Sequence, residues 1–543
     1  MIAILAYWPA LWGPFVFDDH ILPFSNPSAA KAGAAFWIGG VRPVLMATYW
    51  INFMISGTRP FSYHAGNLLL HTITAVIVFF LLRRLVDFAE VKVDRQEMAL
   101  LGAGVFFLHP LQVESVAYIA GRSELVAGLF YFGAWLVFVN SAGSEIKFFT
   151  AIEIMLLAGA AVGGKESAIT LPAILFLTDL YWNPASLTEQ IRSRLKLYIP
   201  LVLGGLIVGS KILLNLTGGA GFAPEGVPPS IYALTQCRVI LTYIRLFCLP
   251  LGQSSDWALP YFRSLTDHAA WIYVLGMLAF VAAIVLLYRR ARLLSFGLLI
   301  FLVLLLPTSS IVPINDAIAE RRVYVPIIGL ILASIWAIDH FGSRIQILRE
   351  ARTLRVATFL ILGLAAVLSF ERSHVWSSGV LFWEDAASKN PSNRRAHIAL
   401  GSAYGQNGRC ADAIREFKIV ARQAGINDEL SKRTAAAYEC NNQPDLALKE
   451  LYRTVASHPT AATYAWIGYL EGVIGRSKAA MTALNESIRL DPLYATAYAY
   501  RGQLQSTLGD QPKATADLQR ALEIDPGNTE ARDGMAKLVE RRR

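Results

Sequence analysis

Apolar residues fill long runs of the first 372 positions, and short polar segments separate these runs. About eleven runs are apolar enough to predict membrane helices, since a spanning helix needs roughly 20 such residues. They lie near residues 1–16, 65–82, 97–110, 115–139, 148–163, 167–182, 197–214, 270–288, 293–307, 324–340 and 356–372. Two further apolar segments, 43–56 and 230–250, are expected to lie at the membrane interface, because one is short and the other contains two arginines. The pattern predicts an all-α, polytopic membrane helix bundle.

The pattern changes after residue 372, where small and aromatic residues recur every 33 or 34 positions. Repeat units are expected at 394–427, 428–460, 461–494 and 495–528, and this period is typical of tetratricopeptide repeats. Small residues such as Gly502 and Ala514 let the two helices of a unit cross closely, and Pro526 ends the second helix. The sequence predicts an α-solenoid with a curved binding surface.

Charge follows the same division. Only 16% of the 543 residues are charged, whereas about 25% is usual in soluble proteins. Residues 373–543 hold 41 of the 89 charges, or 24%, and residues 1–372 hold 48, or 13%. We therefore expect a membrane domain at 1–372 and a water-soluble repeat domain at 373–543, which excludes a soluble enzyme with one core. The net charge of +9 is spread over both parts, so neither is typical of a nucleic-acid binder.

Clusters of Lys and Arg indicate the orientation, since such clusters stay on the cytoplasmic side of a membrane. They lie near residues 83–95, 192–196, 289–292 and 344–355. The extracytoplasmic side would then hold residues 17–42, 111–114, 163–166, 308–323 and everything after 372. The first 16 residues lack a basic leader, so we expect a membrane helix trimmed at its start instead of a cleavable signal peptide.

Asp18 and Asp19 follow the first apolar run directly. Two carboxylates at a membrane boundary are costly against lipid and useful in a polar cavity, where one of them would act as general base. The alternative is that they only mark the end of a helix. The sequence does not choose between the two residues.

Polar side chains also occur in and between the next apolar runs. His64, Asn67 and His71 share one stripe of a predicted helix, with His64 at its extracytoplasmic end. The segment 108–125 adds four ionisable residues, His109, Glu114, Arg122 and Glu124. Internal salt bridges and a functional site explain these four equally well.

Lys165 and Glu166 stand in GAAVGGKES, which imitates a phosphate loop but lacks its Ser/Thr and its strand. We reject a nucleotide site and keep Lys165 as a point charge for a phosphate. Arg321 and Arg322 are stronger phosphate candidates, because two outer arginines oppose the usual charge bias and guanidinium groups grip phosphate bidentately. An ion pair with Glu320 explains one arginine better than two. Asp256 is a secondary outer carboxylate.

Four cysteines exclude a disulfide-built scaffold. Cys410 and Cys440 fall near the turns of adjacent repeats, and stacking brings both to one edge. A disulfide on the oxidising side of the membrane and two buried small residues are equally good interpretations.

The ordered motifs resemble the transmembrane and tetratricopeptide-repeat O-mannosyltransferases, bacterial-type relatives included, of the GT-C glycosyltransferase superfamily. The matching segments are FDD at 17–19, RP at 42–43, YHAGNLLLH at 63–71, LHPLQVESVAYIAGRSEL at 108–125, GKES at 164–167, DL at 179–180 and AERRVYVP at 319–326.

The resemblance implies inverting transfer of a sugar, most simply mannose, from a polyprenyl-phosphate donor to Ser/Thr hydroxyls of secreted or membrane proteins. Asp18 or Asp19 would be the base. Donor-binding candidates are Arg321, Arg322, Lys165, Arg122, His64, His109, Glu114, Glu124, Glu166 and Arg42. No cofactor is required, although carboxylates are able to bind a divalent cation. The location would be the inner membrane of a bacterium or the endoplasmic reticulum membrane of a eukaryote.

Two other functions fit the same pattern. One is a non-enzymatic membrane scaffold whose repeats recruit partners for envelope assembly. The other is a transferase that acts on a lipid or glycan. The repeats favour a polypeptide ligand, because stacked helical grooves commonly hold peptides.

Overall fold

The computed structural model describes residues 2–141, 146–183, 185–216, 227–342, 344 and 351–542. Its chain forms two compact units, Met1–Lys389 and Asn390–Arg543. The described residues are helical and contain no β-strand, which confirms the predicted all-α class. The first unit thus extends beyond residue 372 and includes one further helix, Gly379–Lys389.

Helices α1 to α16 build the first unit. Their bounds are α1 Ile2–Tyr7, α2 Ala34–Ile38, α3 Pro43–Ser56, α4 Pro60–Phe88, α5 Arg95–Leu108, α6 Val113–Ala117, α7 Arg122–Asn140, α8 Phe148–Gly164, α9 Leu171–Trp182, α10 Leu187–Leu216, α11 Pro229–Cys248, α12 Ala270–Leu287, α13 Arg292–Leu305, α14 Ile327–Gly342, α15 Ala351–Val375 and α16 Gly379–Lys389. Short 3-10 turns join several of them, notably Phe17–Ile21, Glu166–Thr170 and Glu320–Val323.

Five helices of the described part are long and apolar enough to cross a membrane, namely α4, α7, α11, α12 and α15. A sixth candidate is the pair Arg95–Leu108 and Pro110–Ala117, which is bent by 47°. These helices indicate a membrane protein.

The eleven predicted spans are not confirmed. Several apolar runs form helices of 14 to 17 residues, α5, α8, α13 and α14, and 14 residues reach only about 21 Å of the roughly 30 Å hydrocarbon core. Residues 1–16 form one six-residue helix and a 3-10 turn. The interfacial prediction for 230–250 is also corrected, because α11 has the length and hydropathy of a span.

The first unit packs around α4, which contacts both α5 and α7, while α15 packs on α5. Helices α13 and α14 cross closely at two small residues. A Cβ atom added to Gly297 would lie 2.5 Å from the carbonyl oxygen of Gly329. Small residues at such crossings let helix backbones approach, as is common between membrane helices.

Helices α17 to α25 build the second unit. Their bounds are α17 Arg394–Gln406, α18 Cys410–Ala424, α19 Asp428–Cys440, α20 Pro444–Ser457, α21 Ala461–Val473, α22 Ser477–Leu490, α23 Ala495–Thr507, α24 Gln511–Ile524 and α25 Thr529–Arg542. The first helix of each of the four units begins at the residue that the periodicity predicts. Within a unit the pair is tight, since a Cβ atom on Gly502 would lie 2.8 Å from Cγ of Leu518.

Helix α17 packs on α19, α21 packs on α23, and α23 packs on the additional helix α25. Between α19 and α21 the link is a side-chain hydrogen bond from Trp466 to Glu439. We call the side of the solenoid that these first helices share the inner face. Side chains that point out of α19, α21, α23 and α25 on this face are neighbours although they are far apart in sequence.

Candidate active site

The two adjacent acids Asp18 and Asp19 have different surroundings. Asp19 is 0% exposed, and its oxygens accept hydrogen bonds from the backbone N–H of Val16 at 3.1 Å and of Ala120 at 2.8 Å. Burial raises the pKa of Asp19 to about 7, although these N–H groups lower it. Asp19 thus fastens the 3-10 turn Phe17–Ile21 to the chain just before α7.

Asp18 is only partly buried. Its backbone N–H donates to the hydroxyl of Tyr118 at 3.0 Å, and its carboxyl group lies within hydrogen-bonding reach of that same hydroxyl. Of the two acids, Asp18 has the carboxylate that a reactant is able to reach.

Tyr118 lines a small, partly open cavity in the first unit, which we call the acidic cavity. Its lining consists of Phe17, Glu114, Tyr118, Ser255, Asp256, Trp257, Asp316, Ile318, Ala319, Arg321, Trp376 and Phe382. Three carboxylic acids meet one guanidinium group in this lining. Carboxylates accept hydrogen bonds from hydroxyl groups, and the aromatic rings supply flat apolar faces.

Arg321 is held at the wall of the acidic cavity. Its guanidinium lies 2.5 Å from Glu114 Oε1 and 3.8 Å from Asp316 Oδ2, and its Cζ is 5.5 Å from the centre of the Tyr118 ring. Asp18, Tyr118 and Arg321 therefore form one connected group.

A second small, partly open cavity is lined by several hydroxyl side chains, and we call it the hydroxyl cavity. Its polar lining comprises Glu124, Tyr131, Ser167, Thr170, Thr308 and Arg322. Arg322 donates to the carbonyl oxygens of Ala317 at 3.2 Å and Asp316 at 2.6 Å. Neighbouring arginines on one 3-10 turn thus reach two different cavities.

The other predicted phosphate ligands are engaged in internal contacts. Lys165 pairs with Glu124, and Arg42 holds Glu166 through two hydrogen bonds of 2.8 Å. The guanidinium of Arg122 is nearly fully buried. It donates to Asn67 at 2.7 Å, to Asn52 at 2.5 Å and to the carbonyl oxygen of Tyr63 at 2.8 Å. These contacts match the salt-bridge interpretation of the segment 108–125 better than a free binding site.

The histidines lie inside the bundle. His64 is 3% exposed and its Nε2 lies 3.1 Å from the carbonyl oxygen of Gly13, so its side chain is packed inside the bundle. His71 Nδ1 lies 3.0 Å from the Tyr324 hydroxyl, and His109 Nε2 lies 3.0 Å from the carbonyl oxygen of Phe247. Asn67 and His71, on the same stripe of α4, are both 0% exposed.

The sequence did not predict one buried network of ion pairs and hydrogen bonds around Glu320. Glu320 does not pair with the arginines beside it; its nearest cation is Arg372, at 3.6 Å. The remaining donors to Glu320 come from the segment after α11: Gln253 Nε2 at 2.6 Å, Ser254 N–H at 3.0 Å and Trp257 Nε1 at 3.1 Å.

Arg372 continues the network to Asp385 at 3.0 Å, and Asp385 accepts the N–H of Ser255 at 2.9 Å. The segment 253–257 is therefore gripped by acids from two other elements, and it brings Asp256 and Trp257 to the acidic cavity. No local sequence signal links these partners, because 63 to 67 residues separate Glu320 from its donors Gln253, Ser254 and Trp257.

Cys410 and Cys440 are joined in a disulfide across the first two repeats, with their Cα atoms 5.7 Å apart. The described residues contain no group of three or more His, Cys, Asp or Glu side chains placed to hold a metal ion. The divalent cation stays an untested prediction.

Comparison with known proteins finds similar chains. A tetratricopeptide-repeat family model matches residues 398–462 and 467–529. The chain is 24% identical over 441 residues to the protein O-mannosyl-transferase F38B6.6 of Caenorhabditis elegans, covering 77% of this chain and 61% of the relative. It is 24% identical to human protein O-mannosyl-transferase TMTC4, covering 77% and 64%. These findings support a likeness between this chain and the TMTC protein O-mannosyl-transferases.

The chain spans about three fifths of the length of these TMTC relatives. A match over 77% of the chain is longer than either unit, so the TMTC likeness extends into both. Among solved structures, the crystal structure of MamA is 22% identical with a TM-score of 0.25, covering 27% of this chain and 86% of that one.

Proposed function

We propose that this chain is an integral-membrane glycosyltransferase that moves mannose from a polyprenyl-phosphate donor to Ser or Thr hydroxyls of polypeptides, with inversion at the anomeric carbon. The names of its TMTC relatives support the class of reaction. The observation that carries the proposal is the acidic cavity, which Tyr118 and Arg321 line, together with the hydrogen bond that joins Asp18 to the Tyr118 hydroxyl.

In this proposal Asp18 is the general base. Its carboxylate takes the proton of the acceptor hydroxyl, the hydroxyl oxygen forms the new bond to the anomeric carbon, and the bond from that carbon to the phosphate oxygen breaks. A single displacement of this kind inverts the anomeric carbon. The sugar hydroxyls would donate to Glu114, Asp256 or Asp316.

The leaving phosphate needs positive charge, and three carboxylic acids make the acidic cavity a poor place for it. We therefore place the phosphate towards the hydroxyl cavity, where Arg322 meets the hydroxyl groups of Ser167, Thr170 and Thr308. Arg321, on the same turn, stands between the sugar and the phosphate. Preorganised hydrogen-bond donors that point at a leaving anion stabilise the transition state and contribute strongly to the rate.

We further propose that the reaction takes place on the extracytoplasmic side and that the repeats receive the acceptor polypeptide. The basic clusters of the sequence support this sidedness, and the tetratricopeptide repeats support a polypeptide partner.

The decisive experiment supplies detergent-solubilised protein with a radiolabelled polyprenyl-phosphate mannose and Ser/Thr peptides. We expect Asp18→Asn to lower transfer by about 10²- to 10⁴-fold, the usual contribution of a general base. Asp18→Glu, which keeps the carboxylate, should retain part of the activity.

Two outcomes would overturn the proposal. Wild-type transfer by folded Asp18→Asn protein would remove the base. No transfer to any peptide from any lipid-linked sugar, with the fold intact, would favour the scaffold, and transfer to lipid or glycan alone would favour the other transferase.

A further inference from the structure

Three aromatic side chains form a patch on the inner face of the repeats. Trp466 and Tyr469 stand three residues apart on α21, and therefore on one side of that helix. The ring of Tyr500, on α23, lies 4.9 Å from that of Tyr469, centroid to centroid, at 31°. All three rings are partly exposed, so each keeps an open surface.

Two carboxylates flank this aromatic patch. Glu439, at the end of α19, accepts a hydrogen bond from Trp466 Nε1 at 2.8 Å through one oxygen only. Glu530 lies in the first turn of α25. The carbonyl oxygen of Glu530 accepts a hydrogen bond from Gln503 Nε2 at 2.7 Å, which joins this turn to α23, the helix of Tyr500. Burial raises the pKa of the Tyr500 hydroxyl to about 12, and the carboxylates of Glu530 and Glu439 raise it too.

The repeats hold other tyrosines that already have a cation. Arg409 lies 4.1 Å from the ring centre of Tyr404, Arg501 5.5 Å from that of Tyr498, and Lys418 5.7 Å from that of Tyr438. Within the described part of the chain, no Lys or Arg lies over Trp466, Tyr469 or Tyr500 in this way, and none pairs with Glu439 or Glu530.

We propose that the aromatic patch, with Glu439 and Glu530, binds a Lys or Arg side chain of an extended polypeptide laid along the inner face. The faces of aromatic rings attract cations, and flanking carboxylates add charge complementarity. Four successive elements, α19, α21, α23 and α25, contribute to this one subsite. A bound cation would fill the position that Arg501 fills at Tyr498.

The subsite does not rest on the proposed transferase activity, because binding needs no sugar donor. Its test uses the full chain in nanodiscs of neutral lipid and two fluorescein-labelled peptides, (Gly-Ser-Lys)₄ and (Gly-Ser-Gln)₄. Fluorescence anisotropy gives both dissociation constants. We expect the lysine peptide to bind about fivefold tighter, the ratio that about 1 kcal/mol of cation–π energy supplies.

Removing the rings tests the site without changing the charge of the protein, which separates it from general electrostatic attraction. The double variant Tyr469→Ala and Tyr500→Ala should bind both peptides alike, whereas Tyr469→Phe with Tyr500→Phe should keep the preference. Tyr498→Ala is the matched control on the same helix and should also keep it. Glu439→Gln should reduce it.

Equal binding of the two peptides by the wild-type protein, or no binding of either, would overturn the proposal. So would a lysine preference that survives in the double alanine variant with its helix content unchanged. A tighter complex with the glutamine peptide would indicate a neutral ligand for the aromatic patch instead.

Discussion

The two units of the chain place their ion pairs in opposite environments. In the first unit, Arg372 and Glu320 are 5% and 0% exposed, and Arg194 and Asp179 are 2% and 4% exposed. In the repeats, Arg520 and Glu523 are 49% and 65% exposed. The buried pair of His397 and Glu416 shows that the division is a tendency and not a rule.

The contribution of an ion pair to stability depends on whether water reaches its two ions. A solvated pair on a helix surface contributes little, because water already stabilises both ions. Removing one ion of a buried pair leaves the other buried without a partner, which costs much free energy. The pair therefore fixes the position of both elements that contribute to it. In the first unit, the pair of Glu320 and Arg372 ties together segments that form walls of the acidic cavity.

Among the substitutions considered, Glu320→Ala should lower the free energy of unfolding most strongly. Gln253, Ser254 and Trp257 would lose their hydrogen-bond acceptor, and the buried positive charge of Arg372 would lose one of its two carboxylate partners. We expect a loss of about 3–5 kcal/mol in the free energy of unfolding, typical of a broken buried pair. Thermal unfolding in detergent measures it, and Glu320→Gln, which keeps an acceptor, should lose less. A wild-type melting temperature for the alanine variant would show that the network is not stabilising.

Asp19 should make stability depend on pH. Its pKa is raised to about 7 by burial, so the folded protein keeps this proton to a higher pH than the unfolded chain does. The free energy of unfolding should therefore fall as pH rises from about 4 to about 7, by at most roughly 4 kcal/mol. Melting temperatures at several pH values should fall less steeply in Asp19→Asn than in the wild type or in Asp18→Asn. Identical slopes in all three proteins would contradict the assignment.

The disulfide should stabilise the repeats by an intermediate amount. Cys410 and Cys440 are separated by 30 residues, and closing such a loop in the unfolded chain is worth about 3–4 kcal/mol in the chain-entropy model. Thermal unfolding of the protein with Cys410→Ser and Cys440→Ser should show that loss, and mass spectrometry without reductant should detect the linked peptides in the wild type. Free thiols at both positions in oxidised protein would refute the bond.

Arg520→Ala should have the smallest effect. Both partners of the pair with Glu523 are largely in water, so we expect a change of about 0.5 kcal/mol or less. Denaturant unfolding of the same preparation would check it. A loss as large as that from Glu320→Ala would erase the contrast between the two units.

Sequence reasoning succeeded where the signal repeats. Each unit of the solenoid contains the same small and aromatic positions, and the first helices begin at Arg394, Asp428, Ala461 and Ala495 as predicted. It was less reliable in the membrane unit, because an apolar run gives its composition but not the length of the helix that it forms. Helices α5 and α13 end after 14 residues.

The candidate site was anticipated only as a list of residue types. Adjacent arginines at 321 and 322 predicted a task for both, but the sequence contained no sign that they reach different cavities. Likewise Asp18 and Asp19 look equivalent as neighbours, and only the two backbone N–H groups that bind Asp19 separate them. The contact from Ala120 joins segments 101 residues apart, which local patterns do not record.

The grip of Asp385 on the segment 253–257 has a practical consequence for dividing the chain. A truncation at residue 372, where the composition changes, would remove α16 and with it the acceptor for the Ser255 N–H and the partner of Arg372. It would also remove Trp376 and Phe382 from the lining of the acidic cavity. A membrane unit prepared without its repeats should therefore be cut after Lys389, where the contacts of the first unit end.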